Sequence, residues 1–418
     1  MLRKEKVFLI GVNINKQYHF DESMNELKNL ALACNYKVVG HAEQNLKCIN
    51  NSFYIGSGKI EELKLLADDK EADLLIFNNE LSPSQLRNLV RALEYRIMDR
   101  TSLILEIFSR RAKTREAKLQ VEMAKMQYML PRLVGLNESL AQQSGGVGTK
   151  TRGPGEKALE LDRRQLERKI YELNKELDSI SNERQIQRKK RSKSKLPTVA
   201  LVGYTNSGKS TLMNALLGMS GKPESKKVIE KDMLFATLDT SVRKIKLPGS
   251  RDFLLSDTVG FVNDLPHSLV KAFRSTLEEV RMADLILHIV DISDPDYEQQ
   301  IKVTDNTLQE IGTENVPVIY VYNKIDLIPE YSMQTISNKV FISARKKIGL
   351  DNLLERINQE INKEYIKCRM LIPYSQGNLL SYLNGNTYIK SIIHKNKGTL
   401  LNLECQKSDY ERFKQFVC

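Results

Sequence analysis

The chain has 418 residues, 41% hydrophobic and 28% charged, with a net charge of +12. That length describes two or three domains of an ordinary soluble protein, each able to bury its own core. No apolar run nears the ~20 residues of a membrane span, which disfavours an integral membrane role.

The N-terminal run MLRKEKVFLIGVNI sets a basic stretch before an apolar one, as a signal peptide does. Its apolar part is only a strand long, and no small-residue cleavage site follows. Five scattered cysteines (Cys34, Cys48, Cys368, Cys405, Cys418) form no C-x-x-C pair. They argue against a zinc site or disulfide framework and fit a reducing, cytoplasmic setting.

Residues 1–105 alternate short apolar runs with helical stretches, predicting a small α/β subdomain with a mainly parallel sheet. Strands are expected at Val7–Ile10, Tyr36–Val39 and Leu74–Phe77, with helices over Met24–Ala33 and from Ser82-Pro83. Residues 106–195 turn helical. Leu119, Met123, Met126 and Leu130 make one apolar stripe. After a break, Leu159, Leu166, Leu173 and Ile180 recur every seven residues, with Ile170 and Leu177 in the second seam. Two arms of an antiparallel hairpin are predicted.

This segment carries 22 Lys/Arg against 12 Asp/Glu, most of the chain's excess charge. Such a stripe is the footprint of a polyanion partner or a solvated helical face. Between the arms, residues 144–155 read SGGVGTKTRGPG, with Lys150 and Arg152. That composition forms either a mobile basic loop at the hairpin tip or a structureless linker. Residues 188–195, RKKRSKSK, make a basic hinge into the next domain.

Residues 196–365 carry the chemistry. Gly203–Ser210 read GYTNSGKS, a complete G-x-x-x-x-G-K-[ST] loop between the β-like Thr198–Val202 and a helix-like run. Strand, glycine loop and helix are the context in which backbone N–H groups hold a polyphosphate. Lys209 reaches the β- and γ-phosphates and Ser210 binds Mg²⁺. Asp257-Thr258-Val259-Gly260 follows a strand, placing Asp257 toward Mg²⁺ through water and the Gly260 N–H toward the γ-phosphate. Upstream, Phe235-Ala-Thr237 offers Thr237 as a second sensor of metal and γ-phosphate, with Thr240 and Ser241 competing.

Asn323-Lys324-Ile-Asp326 follows a strongly β-patterned run and selects the base. The Asp326 carboxylate accepts from guanine's ring N–H and exocyclic amine, and adenine has no matching donors, which discriminates by ~10⁴ or more. Asn323 braces the loops, and Ser343-Ala344 matches the last base-contacting loop. The nucleotide-contacting set is Gly203, Tyr204, Thr205, Asn206, Ser207, Gly208, Lys209, Ser210, Thr211, Phe235, Asp257, Thr258, Val259, Gly260, Asn323, Lys324, Asp326, Ser343 and Ala344. The catalytic roles fall to Lys209, Thr237 and Gly260, and the metal-binding roles to Ser210, Thr237 and Asp257. Where many GTPases place a water-orienting glutamine, this chain has Phe261, so hydrolysis is expected to be slow until a partner completes the site. Asn206 either coordinates K⁺ near the phosphates or braces the loop. Residues 366–418 read as a small α+β module, with strands at Tyr388–Ile393 and Thr399–Glu404 and a helix over Asp409–Phe416.

The ordered set GYTNSGKS, FATLD, DTVGF, NKID and SA, behind a basic hairpin with a glycine-rich tip, resembles the HflX family of ribosome-associated GTPases. The Tyr54–Lys59 run, YIGSGK, is also similar to that family's N-terminal domain. The resemblance implies a P-loop GTPase domain and GTP hydrolysis with Mg²⁺. It also implies binding to the large ribosomal subunit and its rRNA, and splitting of stalled ribosomes linked to stress recovery. It assigns residues 144–155 to an rRNA contact and leaves the C-terminal module's role open. A monomer in the cytoplasm is expected, with a peripheral place at the membrane left open and no integral membrane partner. A competing reading is an RNA-remodelling enzyme driven by ATP at Gly56–Lys59, which is not a Walker loop and reads more simply as a helix start.

Overall fold

The computed structural model describes residues 3–15, 19–143, 154–192, 196–220, 235, 241–246, 252–258, 260–262, 279–328, 339–363 and 365–418. Within 134–143, 154–159 and 184–192 only the course of the helix is described.

The N-terminal part runs β1 (Lys6–Ile14), α1 (Phe20–Ala33), β2 (Lys37–Leu46), α2 (Ser57–Asp69), β3 (Leu74–Phe77), α3 (Pro83–Leu93), β4 (Arg96–Asp99) and α4 (Arg100–Arg111). Its sheet has the order β2-β1-β3-β4 with every pair parallel, as the alternation predicted. A strand buried on both faces sends successive side chains to opposite layers. In β1, Val7 and Leu9 join the layer with α1 and α4, while Phe8, Ile10 and Val12 join the layer with α2 and α3. The helix starts follow their caps. Ser82 accepts from the Gln85 N–H at 3.2 Å while Gln85 accepts from the Ser82 N–H at 3.0 Å, and Pro83 takes the first turn. Gly56 is the N-cap of α2, and Lys59 pairs with Glu62 at 2.6 Å, so Gly56–Lys59 is a helix start.

α5 (Arg115–Gln143) and α6 (Pro154–Ser192) are the two arms of the hairpin. The helical segment expected from residue 106 therefore begins as α5, because α4 extends to Arg111 and its Leu103, Ile104, Ile107 and Phe108 belong to the N-terminal core. The first arm runs on through Pro131 to Gln143, ahead of the expected glycine-rich break. Across the hairpin, Lys169 meets Glu122 at 3.1 Å and the Arg115 Nε donates to Glu176 at 2.9 Å. Leu166, Ile170, Leu173, Leu177 and Ile180 are the less exposed positions on their stretch of α6, so the seven-residue seam faces α5 as read. Residues 144–153, with Lys150 and Arg152, lie outside the described residues.

The root of α5 is locked by one buried carboxylate. Asp99, fully buried, accepts from the Ser102 N–H at 2.8 Å, the Tyr128 hydroxyl at 2.6 Å and Arg132 at 3.2 Å. The Arg132 guanidinium also caps the Leu81 carbonyl at 3.0 Å and lies over the Tyr128 ring.

The third part is a six-stranded sheet of order β10-β9-β8-β5-β7-β6, parallel except for the edge pair β6–β7. Its elements are β5 (Thr198–Val202), α7 (Lys209–Met219), β6 (Ser241–Ile245), β7 (Phe253–Asp257), β8 (Leu285–Asp291), α8 (Tyr297–Ile311), β9 (Val318–Asn323), β10 (Lys339–Phe341) and α9 (Leu350–Ile361). The central strands are continuous apolar runs because helices cover both faces.

The last part comprises β11 (Tyr365–Ile372), α10 (Gly377–Asn386), β12 (Tyr388–Lys395), β13 (Gly398–Gln406) and α11 (Lys407–Arg412), its antiparallel sheet ordered β11-β13-β12. Here β11 and α10 were not legible beforehand. The α10 sequence, GNLLSYLNGN, is rich in glycine and asparagine, weak helix formers whose order comes from burying Leu379 and Leu383.

Candidate nucleotide-binding site

The site forms at the carboxyl ends of the parallel strands, where open α/β sheets place their ligands. β5 ends at Val202 and the chain turns through Gly203 with φ +145°, where a Cβ would lie 2.2 Å from the Ile289 carbonyl oxygen. Gly208 has φ +95°, and its Cβ would meet the Asn323 amide at 2.2 Å. Only glycine fits both positions, and between them the backbone curls into a cradle at the N-terminus of α7.

Lys209 is buried and donates to the carbonyls of Gly203 at 3.0 Å and Tyr204 at 2.6 Å. Burial pulls its ammonium down to about 8, with Asp257 opposing the shift and Lys324 adding to it. A polyphosphate supplies the missing counter-charge, so binding raises this group and takes up a proton wherever the free site is partly deprotonated. Below pH ~7 nucleotide affinity is therefore expected to be flat. Above about 8 it should fall by up to tenfold per pH unit, with proton uptake seen by calorimetry in buffers of differing ionisation enthalpy. Pure enthalpy with no buffer dependence at pH 8.5 would contradict this.

The Ser210 hydroxyl donates to Asp257 at 2.7 Å. A hydroxyl and a carboxylate at this spacing are hard oxygen donors suited to Mg²⁺, so these residues fit the metal that GTP chemistry implies. Gly260 packs so closely on the loop that a Cβ would lie 2.9 Å from the Thr205 Cα and 3.1 Å from Lys209 Nζ. Thr258 donates its hydroxyl to the Leu201 carbonyl at 2.7 Å, fastening β7 to β5 rather than facing a ligand. Thr211 lies half-buried in the first turn of α7. Thr237 and Val259 lie outside the described residues.

The base loops converge on Asn323. Its amide donates to the Ser207 carbonyl at 2.9 Å and accepts from the Ala344 N–H at 3.0 Å, bracing the phosphate loop against the Ser343-Ala344 loop as expected. Lys324 is held by Asp291 at 2.6 Å, a partner that sequence reasoning overlooked although Asp291 closes the apolar run of β8. A hydrogen bond from the Ser343 side chain holds the Asp326 carboxyl below its usual range, keeping it an anionic acceptor. Asn206 stands at φ +61° and is exposed.

Two expected contacts, Phe235 and Tyr204, are placed differently. Phe235, expected to line the nucleotide, buries its ring against Phe108 of α4, edge-on at 4.6 Å. A wholly apolar ring gains more in that core than beside phosphates. Tyr204 turns its hydroxyl to Glu26 of α1, itself paired with the buried Arg100, and contributes only its carbonyl to the site. Phe261 is buried beneath the sheet, while its carbonyl accepts from the Thr205 N–H at 2.7 Å and its N–H donates to Gly203 at 3.1 Å. It thus ties the end of the Asp257–Gly260 run to the phosphate loop, and its own side chain cannot orient water. Nothing in sequence signalled Glu26 or Phe108, which approach the loops from a separate domain.

The glycine loop at the strand ends, the buried Lys209, the Ser210–Asp257 pair and the Asn323–Asp326 loop together mark a P-loop GTPase, a GTP hydrolase. Three family models match in chain order: "GTP-binding GTPase N-terminal" over residues 21–109, "GTP-binding GTPase Middle Region" over 111–191 and "50S ribosome-binding GTPase" over 198–324. The chain is 44% identical to the GTPase HflX of Caldanaerobacter subterraneus subsp. tengcongensis over 99% of its own length and 94% of that protein. It is 36% identical to the Escherichia coli GTPase HflX over 86% and 84%. Among solved structures it is similar to a GTP-binding protein from Sulfolobus solfataricus in complex with GDP, with 26% identity, 86% and 99% coverage and a TM-score of 0.44. The chain belongs to the HflX family of GTPases.

Proposed function

We propose that this GTPase is a factor of the large ribosomal subunit that engages rRNA through its hairpin and splits or rescues stalled ribosomes. The observation that carries the reading is the hairpin: a segment holding most of the chain's excess positive charge, projected on two long arms and seated on the N-terminal core by Asp99 and Arg132. Rigid presentation of cations suits a polyanion such as rRNA. The name of the family model over residues 198–324 supports the same partner. No helix among the described residues is long and apolar enough to cross a membrane, and we take the working state to be a cytoplasmic monomer.

Hydrolysis in this reading is direct attack of water on the γ-phosphate. Lys209 and the N–H groups of the phosphate loop stabilise the charge that develops, and Gly260 reads the γ-phosphate. Ser210 and Asp257, with Thr237, would hold Mg²⁺, which would supply charge neutralisation for the transferred phosphate. Because Phe261 is buried, the subunit completes the water-positioning geometry, and Asn206 is assigned to K⁺ beside the phosphates. Separate ATP chemistry at Gly56–Lys59 finds no support, since Lys59 is engaged by Glu62.

The test is GTP turnover with and without purified large subunits, in K⁺ and in Na⁺. Subunits should raise the rate by several orders of magnitude, K⁺ should exceed Na⁺, and Lys150→Ala/Arg152→Ala should lose most of the stimulation. Rates indifferent to subunits reject the ribosome coupling, and rates equal in the two salts reject the K⁺ assignment.

A further inference from the structure

The C-terminal sheet is covered on one face over β11 and β13, while most of β12 is exposed, Ile392 on that same side to 49%. Leu401, Leu403 and Cys405 of β13, with Met370 and Ile372 of β11, pack beneath Leu379 and Leu383 of α10 and the tail residues Phe413 and Phe416. The register puts the alternate residues on the other face. Lys367, Arg369 and Leu371 of β11 pair with Glu404, Asn402 and Leu400 of β13, which pair in turn with Tyr388, Ser391 and Ile393 of β12. Tyr388 and Ile393 are 42% and 52% exposed there. Lys367, Arg369, Lys390 and Lys395 are exposed, and Lys390 reaches Glu404 at 3.0 Å.

The open face thus joins an exposed aromatic ring and an aliphatic strip to a rim of cations, with Glu404 its one carboxylate among the described residues, 3.0 Å from Lys390 and 3.9 Å from Lys367. From residue 365 onward eight Lys/Arg accompany three Asp/Glu, so the surroundings share the sign. Lysines on edge strands also prevent strand addition, and β11 and β12 are both edges. That role does not account for an exposed tyrosine and isoleucine between them, since a guarded edge gains nothing from apolar surface.

We infer that this face is a second RNA-binding surface, accepting an unpaired segment whose bases stack on Tyr388 and lie along Ile393 while its phosphates meet Arg369, Lys367 and Lys395. Sheets with an exposed aromatic and flanking cations suit single strands, because unpaired bases present their faces and duplex bases do not. The inference deepens the ribosome reading, on which it rests only for the source of the RNA.

The test uses the full-length chain carrying Lys150→Ala/Arg152→Ala, so that the hairpin tip contributes little. The probe is a fluorescein-labelled unstructured RNA of roughly ten nucleotides. Adding Tyr388→Ala, Arg369→Ala and Lys395→Ala should weaken binding at least tenfold and flatten the log–log salt slope by about 1.4, the share of two phosphate contacts to single strands. Ultraviolet cross-linking of the unmutated chain should attach the RNA to the peptide containing Tyr388. Unchanged GDP binding by the variant confirms that it is folded. Unaltered affinity, cross-links confined to other segments, preference for duplex RNA, or capture of an acidic peptide in place of RNA would each overturn the inference. Sedimentation with large subunits separates the two claims: a chain that binds subunits but fails these tests loses only this surface, and one that passes them without binding subunits loses the ribosome reading.

Discussion

Asp326→Asn should lower GDP affinity on the order of 10⁴-fold while leaving the thermal unfolding of the chain almost unchanged. In the proposed base site the Asp326 carboxylate accepts from both donors on guanine's edge, and the Ser343 bond favours its charged form. An asparagine amide presents an N–H₂ where the exocyclic amine of guanine stands, so donor meets donor in a confined site. Xanthine carries a carbonyl at that position, and xanthosine diphosphate should recover much of the lost affinity. Calorimetric titration of both nucleotides decides it. If GDP still binds the variant at the original strength, the base does not lie against Asp326.

The second large effect concerns the hairpin's seat. Asp99→Ala removes the acceptor shared by Ser102, Tyr128 and Arg132, and strands a guanidinium whose side chain is only 9% exposed. Losing one partner of a buried ion pair costs about 3–5 kcal/mol, because the remaining charge stays desolvated. The Tyr128 hydroxyl, which burial and Asp99 raise well above its ordinary value, loses its acceptor as well. Urea unfolding should therefore show the N-terminal part and hairpin melting earlier, with guanine-nucleotide binding retained. Asp99→Ala/Arg132→Ala should be markedly less destabilised than the sum of the single changes, since the stranded charge is gone. Strict additivity would mean the two residues do not act as a pair.

Local pattern carried much of the architecture. Hydrophobic periodicity and caps located three of the four parallel strands described in the first domain, missing β4, along with the two hairpin arms and the nucleotide domain, because buried strands and seams write their period into consecutive residues. α5 continues through Pro131, which helix propensity disfavours, because Ala117, Val121, Ala124 and Tyr128 anchor that helix in the core shared with α4. The 54-residue C-terminal part was only half legible, its α10 being ordered by burial rather than by propensity.

The candidate site divides in the same way. The loops that gather at the strand ends were readable in order because each loop's chemistry is set by its own few residues: glycines where a Cβ would collide, a lysine, the Ser210–Asp257 pair and the Asn323–Asp326 run. What sequence could not supply was where Tyr204, Phe235 and Phe261 point, or that Asp291 holds Lys324. Those outcomes depend on partners brought close only by folding, such as Glu26 and Phe108 from another domain. A motif records the backbone it needs and the ligand it meets, whereas the direction of an aromatic side chain is decided by the core that folding delivers to it.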